Sequence, residues 1–280
     1  MSDKPARGGR RGREARKAQR ASTPVAVSPY IKRNIPCTQI LDEEGLQLIE
    51  ANADTILEET GIDFRGHARA LELWKEAGAD VDGERVRIPR GLAHKILKTA
   101  PREFTQHARN PARSVVIGGN NTVFAPVYGA PFVTDMERGR RYGTIEDFRD
   151  FVKLAYLEPN IHHSGGTVCE PVDLPVNKRH LDMVYSHMRW SDKAFMGSVT
   201  APERAADTVE MSGILFGKEF VDQNCVVINL INSNAPLVFD ATMLGAAEVY
   251  AAANQASIIS PFILAGAMSP VTAAGTLAQL

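Results

Sequence analysis

The feature that most restricts the fold is a regular alternation of strand-like and helix-like segments after about residue 120. β-prone runs stand at residues 122–127, 161–168, 194–199, 225–231 and 258–264, and the last four begin 33, 31 and 33 residues apart. Apolar residues at helical spacing fill the intervals: Ile145, Phe148, Val152 and Ala155, then Leu181, Val184, Tyr185 and Met188. A weaker stripe, Ala205, Val209, Ser212 and Phe216, follows, and then Leu244, Ala247, Tyr250 and Ala251. Thr200-Ala-Pro-Glu203 reads as a capping box with proline in the first helical turn, and Thr144-Ile-Glu-Asp147 as a near relative of one.

Strands joined by helices pair in parallel through right-handed crossovers, which leaves a doubly wound open sheet or a closed barrel. A period of about 32 residues fits an eightfold barrel of about 250 residues. A nucleotide-binding doubly wound fold would place Gly-x-Gly-x-x-Gly after its first strand, and none is present. The expected class is α/β, a (β/α)8 TIM-type barrel. Only about five strand–helix units fit between residues 122 and 280. An incomplete barrel, and hence a truncated chain, is therefore expected, because an open parallel sheet leaves edge groups unpaired. A five-stranded sheet stable by itself is the alternative.

The remainder divides in two. Residues 1–29 are expected to be a disordered basic tail: Arg7, Arg10, Arg11, Arg13, Arg16, Arg20, Lys4 and Lys17 face only Asp3 and Glu14. Residues 30–120 read as a small α+β cap and residues 121–280 as the first part of the barrel. In the cap, a helix at about 42–60 should stop at Gly61 and a second, through Ala70, Leu71, Trp74 and Ala77, at Gly78. Val86 and Ile88 mark a strand, and Leu92, Ile96 and Leu97 a third helix. Runs at 104–108 and 114–117 are β-like, the second closed by the Gly118-Gly119-Asn120-Asn121 turn.

With 32 Lys and Arg against 33 Asp and Glu, the chain has no global attraction to nucleic acid or to an anionic membrane. No apolar run approaches the roughly 20 residues of a membrane span, and no secretory signal opens the chain, so a cytoplasmic location is the default expectation. Cys37, Cys169 and Cys225 lack metal-site spacing and read as buried thiols, with no metal centre.

Barrel ligands sit beyond the C-terminal strand ends. Small residues dominate those positions here, and Gly165, Gly166, Gly197 and Gly266 would let a large flat cofactor approach the backbone, unless tight βα turns alone account for them. Glu170 is the single acid near a strand end, which argues against a two-carboxylate hydrolase, while His162 and His163 lie nearer that strand's start. Lys193 precedes the third strand, away from the expected site, which argues against a Schiff-base aldolase. Asn229, Asn232 and Asn234 can orient a small ligand, and Phe124, Tyr128, Phe132 and Phe262 can face a cation, ordinary packing being the competing role of each aromatic. The candidate substrate set is Tyr128, Phe132, Glu170, Asn232, Asn234 and Phe262, with no basic group expected among them.

The runs Thr122-Val-Phe-Ala-Pro-Val-Tyr-Gly-Ala-Pro-Phe-Val-Thr-Asp135 and Ser257-Ile-Ile-Ser-Pro-Phe-Ile-Leu-Ala-Gly-Ala-Met-Ser-Pro-Val-Thr272 resemble the trimethylamine and glycine betaine methyltransferase family. Shorter support comes from His163-Ser-Gly-Gly-Thr167, continuing to Glu170-Pro171, and from Glu58-Glu-Thr-Gly-Ile62. The resemblance spans about residues 40–280. It implies transfer of a methyl group from a tertiary or quaternary amine to the Co(I) of a corrinoid protein. The corrinoid (cobalamin) is then carried by that partner, and none is bound directly by this chain. Trimethylamine enzymes of the family use a pyrrolysine in later barrel strands, a position outside this sequence. These motifs assign no catalytic residue. A non-catalytic quaternary-amine binding protein on the same fold is the alternative, and homo-oligomerisation is left open.

Overall fold

The computed structural model describes residues 31–234 and 236–280; the tail expected over residues 1–29 lies outside them. The described chain opens with β1 (Ile31–Lys32) and α1 (Glu43–Thr55). The Asp42 side chain accepts from Gly45 N–H at the start of α1, and Glu43 and Glu44 oppose its positive end. The helix ends in a π-type turn, closed by a bond from Gly61 N to Ile56 O of 2.8 Å. Gly61 has φ +74°, and a Cβ there would stand 2.4 Å from Val86 O, so the expected stop is enforced both by backbone conformation and by close packing.

β2 (Ile62–Phe64), α2 (Ala68–Ala77), β3 (Asp80–Asp82), β4 (Arg85–Arg87) and α3 (Leu92–Leu97) follow, α2 stopping at a left-handed Gly78. Phe64, Val86 and Ile88 are buried against Trp74 and Leu71. β5 (Glu103–Gln106) and β6 (Val115–Gly118) form an antiparallel hairpin, and β7 (Asn121–Thr122) pairs antiparallel with β1. The strand expected at 122–127 thus stops at Thr122. Pro126 has no N–H to donate, and the neighbouring Phe124 spends its N–H on the His162 ring (3.0 Å), so no ladder can extend.

A hairpin of β8 (Phe132–Asp135) and β9 (Gly139–Tyr142), not anticipated from the sequence, precedes α4 (Ile145–Leu157). Thr144 and Asp147 form a reciprocal capping box on α4. Then come α5 (Arg179–Trp190), β10 (Phe195–Met196), α6 (Pro202–Phe216), α7 (Lys218–Gln223), β11 (Val227–Ser233), β12 (Val238–Phe239), α8 (Ala241–Ala252), β13 (Ala256–Pro261) and α9 (Ala273–Gln279). The expected box at Thr200 does not form: Ala201 occupies the cap position of α6, so Thr200 stands one residue too early, and its hydroxyl accepts from Arg204 instead.

β10, β11 and β13 make a parallel sheet, with Phe195 opposite Val227 and Leu230 opposite Ile258. The run expected as a strand at 161–168 has no regular ladder, yet it lies beside β10: Ser164 N donates to Ala194 O and Met196 N to Gly165 O, both at 2.8 Å. His162 N and His163 N both donate to Phe124 O. The chain therefore runs in the order 124, 162–165, β10, β11, β13 across one layer. Phe195, Val227 and Ile231 point to the helices and bury Ala205, Ala246 and Tyr250; burial of each large apolar side chain contributes about 1.5–3 kcal/mol. By strand parity Met196, Ile228, Leu230 and Asn232 point to the other face. Among the described residues the sheet does not close into a barrel, and β13 has no partner on its outer edge.

Two features fix the N-terminal ends of these strands. Gln106 donates to Phe195 O (2.8 Å) and Val226 O (3.3 Å), placing the β5–β6 hairpin beneath them. Lys193 is buried and donates to Ala155 O, Glu158 O and Ile161 O at 2.7, 3.0 and 2.5 Å, capping the carboxyl end of α4. β12 pairs in parallel with β2, tying the two halves together. Cys169 is buried and Cys225 half-buried, whereas Cys37, expected inside, is exposed. No described helix is long and apolar enough to cross a membrane.

Candidate active-site cleft

A cleft enclosing about 560 Å³, part of it open to solvent, lies at the carboxyl ends of the 162–165 segment and β10. Its walls come from the Tyr128 loop, the turn at 166–170, one side of α5, the 196–200 segment at the end of β10, and the first turn of α6. A helix that follows a strand in a crossover starts at the end where the strand finished, so helix starts and strand ends share one rim.

Two loops are stitched together on one side, with Gly129 N donating to Thr167 O (2.6 Å) and Glu170 N to Ala130 O (2.8 Å). They hold Tyr128, 37% exposed, with its ring against Gly166. The sheltered hydroxyl ionises above the ordinary tyrosine range, chiefly through desolvation, offset in part by a bond with Thr167.

Two buried histidines anchor the turn at its base. His163 accepts from Gly165 N–H at Nδ1 (2.9 Å) and faces Gln106 Oε1 through Nε2 (3.0 Å), so Nε2 carries the proton. His187 faces the Gly166 carbonyl through Nε2 (2.8 Å), which makes Nε2 the donor and Nδ1 the acceptor of the Ser164 hydroxyl (2.7 Å). Burial lowers the pKa of His163 to about 3 and of His187 to about 4, so both are neutral at pH 7.

The charged residues of the cleft are Glu170, Arg179 and Arg204, with His180 beside them. Glu170 and Arg179 form an ion pair, and Arg179 also donates to Leu174 O. His180, its side chain 6% exposed, donates from Nε2 to Asp207 Oδ2 at 2.6 Å. Arg204 donates to Thr200 Oγ1 at 2.7 Å. The expectation of a rim without basic groups is therefore corrected. Arg179, His180 and Arg204 stand at helix starts and not at the positions just after each strand, where the sequence places the rim.

Of the candidate substrate residues, Tyr128 and Glu170 line the cleft together. Phe132 does not: it lines a separate apolar hollow with Phe151 and Leu154, packs on Tyr142 at 4.7 Å, and has the Arg140 guanidinium 3.8 Å over its ring. The cation it meets is the chain's own. Asn234 donates to Asp240 Oδ2 (2.6 Å), bracing the turn before α8. Asn232 is half-buried near the carboxyl end of β11, and Phe262 is 62% exposed beyond β13; neither lines the cleft. Phe124 stacks on His162, and Asn229 is buried, donating to Ala256 O (2.9 Å).

Among the candidate glycines, Gly166 and Gly197 line the cleft. A Cβ on Gly166 would stand 2.7 Å from the Tyr128 ring, and one on Gly197 2.2 Å from Tyr250 Oη. Gly165 turns with φ +85° against Pro126, and Gly266, with φ +81°, belongs to a turn after β13 outside the cleft. Close internal packing thus accounts for the absence of side chains at Gly166 and Gly197.

A parallel α/β layer with helices on one face and a small-ligand cleft at its carboxyl ends is the architecture of a crossover-built α/β protein. Within that class the chain belongs to the trimethylamine methyltransferase (MTTB) family, whose profile matches residues 9–280. It is similar to a protein named glycine betaine methyltransferase from Desulfitobacterium hafniense (strain Y51), 48% identical over 244 residues, covering 87% of this chain and 51% of that protein. It is also similar to a proline betaine:corrinoid methyltransferase from Eubacterium limosum, 25% identical over 173 residues, covering 61% of this chain and 35% of that protein. The chain thus spans about half, or less, of the length of these curated relatives.

Proposed function

We propose that the whole protein is a cytoplasmic methyltransferase, moving a methyl group from a tertiary or quaternary methylated amine of the trimethylamine or glycine betaine type to the Co(I) of a corrinoid protein. The observation that carries this reading is the 48% identity, over 244 residues, to a protein named for that amine. The open parallel sheet is proposed to belong to a (β/α)8 barrel, with residues 30–120 as its cap and 121–280 as its first part; the strand period and the one-sided helix layer support this.

Tyr128 and Glu170 are proposed to receive the ammonium, an aromatic face over a cation contributing about 0.5–2 kcal/mol. The corrinoid, carried by its own protein, supplies a Co(I) nucleophile as the methyl acceptor. The amine keeps the electrons of the broken C–N bond, and a quaternary ammonium leaves as a neutral amine, so no general acid is required. The cleft agrees with that economy: Glu170 is paired with Arg179, and His180 with Asp207. The chain's contribution is to desolvate the ammonium and aim one N-methyl carbon outward. Gly166 and Gly197 line the floor, where the acceptor's face would approach.

The test is methyl transfer from glycine betaine to cob(I)alamin or a corrinoid protein, followed by visible absorbance and by the demethylated amine. Binding of the amine without transfer would favour the non-catalytic reading.

A further inference from the structure

Two of the cleft's charges are satisfied by each other, since Glu170 and Arg179 pair. Arg204 is not so matched. Half-buried on the first turn of α6, it donates to Thr200 Oγ1 and, among the described residues, has no carboxylate within ion-pair distance. Its guanidinium is a charge of the cleft lining that no carboxylate of the described residues matches.

His180 lines the same cleft. With its side chain 6% exposed and Nε2 bonded to Asp207, its Nδ1 is buried without a partner among the described residues. His180 and Arg204 both line the cleft, so a ligand seated there meets a guanidinium that no carboxylate of the described residues neutralises. The ligand group that answers Arg204 is a carboxylate, whose two oxygens match the planar fork of arginine.

We infer that Arg204 forms a carboxylate subsite in this cleft, and that the substrate is a zwitterion spanning from the Tyr128 side to Arg204. The inference rests on the proposed amine methyltransferase reading and adds the residue that selects a carboxylate-bearing amine over a simple cation.

The test is calorimetric titration of the whole protein, wild type and the variants Arg204→Met and Arg204→Lys, with glycine betaine and with choline, which carries a hydroxyl in place of the carboxylate. Arg204→Met should weaken glycine betaine binding about 30-fold, or about 2 kcal/mol, and leave choline within about twofold. Arg204→Lys should recover part of the loss, because the charge returns without the fork. Equal effects on the two ligands, no effect on either, or a wild type that binds glycine betaine no better than choline would each overturn the subsite. Methyl transfer is measured separately: intact, Arg204-dependent betaine binding without transfer counts against the enzymatic reading and supports the subsite.

Discussion

Acidification from pH 7 to about 4.5 should remove about 5 kcal/mol of folding stability through His163 and His187 alone. Both rings are buried and neutral, with pKa values lowered from 6.5 to about 3 and about 4. In the unfolded chain both titrate near 6.5, so between pH 6.5 and 4 the unfolded state binds more protons and stability falls as pH falls. At about pH 4.5 each unfolded imidazole is some two pH units below its pKa while each native ring is still mostly neutral, a loss of about 2–3 kcal/mol per residue. Geometry gives the same direction: a proton on His163 Nδ1 would oppose the Gly165 N–H that it accepts. The total is a large part of the 5–15 kcal/mol that holds a typical domain. The assay is urea unfolding at half-unit intervals from pH 7 to 4.5 for the wild type, His163→Gln and His187→Gln, with circular dichroism at pH 7 to confirm folding. Each variant should lose about 2–3 kcal/mol of the wild-type pH dependence. A pH dependence that neither substitution reduces would refute neutral burial of these rings. Because they hold the Gly165-Gly166 turn, ligand binding should weaken over the same range.

Gly197→Ala puts a Cβ 2.2 Å from Tyr250 Oη and 2.8 Å from Thr208 Cγ2 and should cost about 1–3 kcal/mol, read as a lowered urea midpoint. Lys193→Met leaves the carbonyls of Ala155, Glu158 and Ile161 without their shared donor and should cost about 3 kcal/mol by the same measurement, with ligand affinity retained in the folded fraction. Tyr128→Ala should weaken glycine betaine binding by around tenfold, whereas Phe132→Ala should leave affinity unchanged, because the Phe132 face is already covered by Arg140; calorimetry that found the reverse order would move the ammonium site to the hairpin.

The periodic part of the fold was legible because apolar spacing answers directly to burial. Val184, Val152, Ala205 and Tyr250 were read as helix stripes, and all four pack inward. Strand pairing was less legible. Residues 122–127 have the composition of a strand, but their neighbours decide the pairing, and His162 takes the Phe124 N–H. The β8–β9 hairpin turns through Met136, Glu137 and Arg138 to Gly139, a turn whose flanks show no clear alternation. Tyr128 and Glu170 were reached from strand ends. Arg179, His180, Asp207 and Arg204 were not, since a side chain at a helix start carries no local sign that it faces a strand end far from it in sequence. Only the crossover geometry brings Asp207 to His180, which lies 27 residues earlier in the chain.

Methyl transfer itself is read by a single-turnover assay of the whole protein with methyl-labelled glycine betaine and cob(I)alamin under strictly reducing conditions. One labelled methyl group should reach the corrinoid for each molecule of dimethylglycine formed, with Tyr128→Ala and Arg204→Met both slowed at sub-saturating amine. Saturable binding of glycine betaine with no label reaching the corrinoid, whether free or on its carrier protein, would contradict methyl transfer.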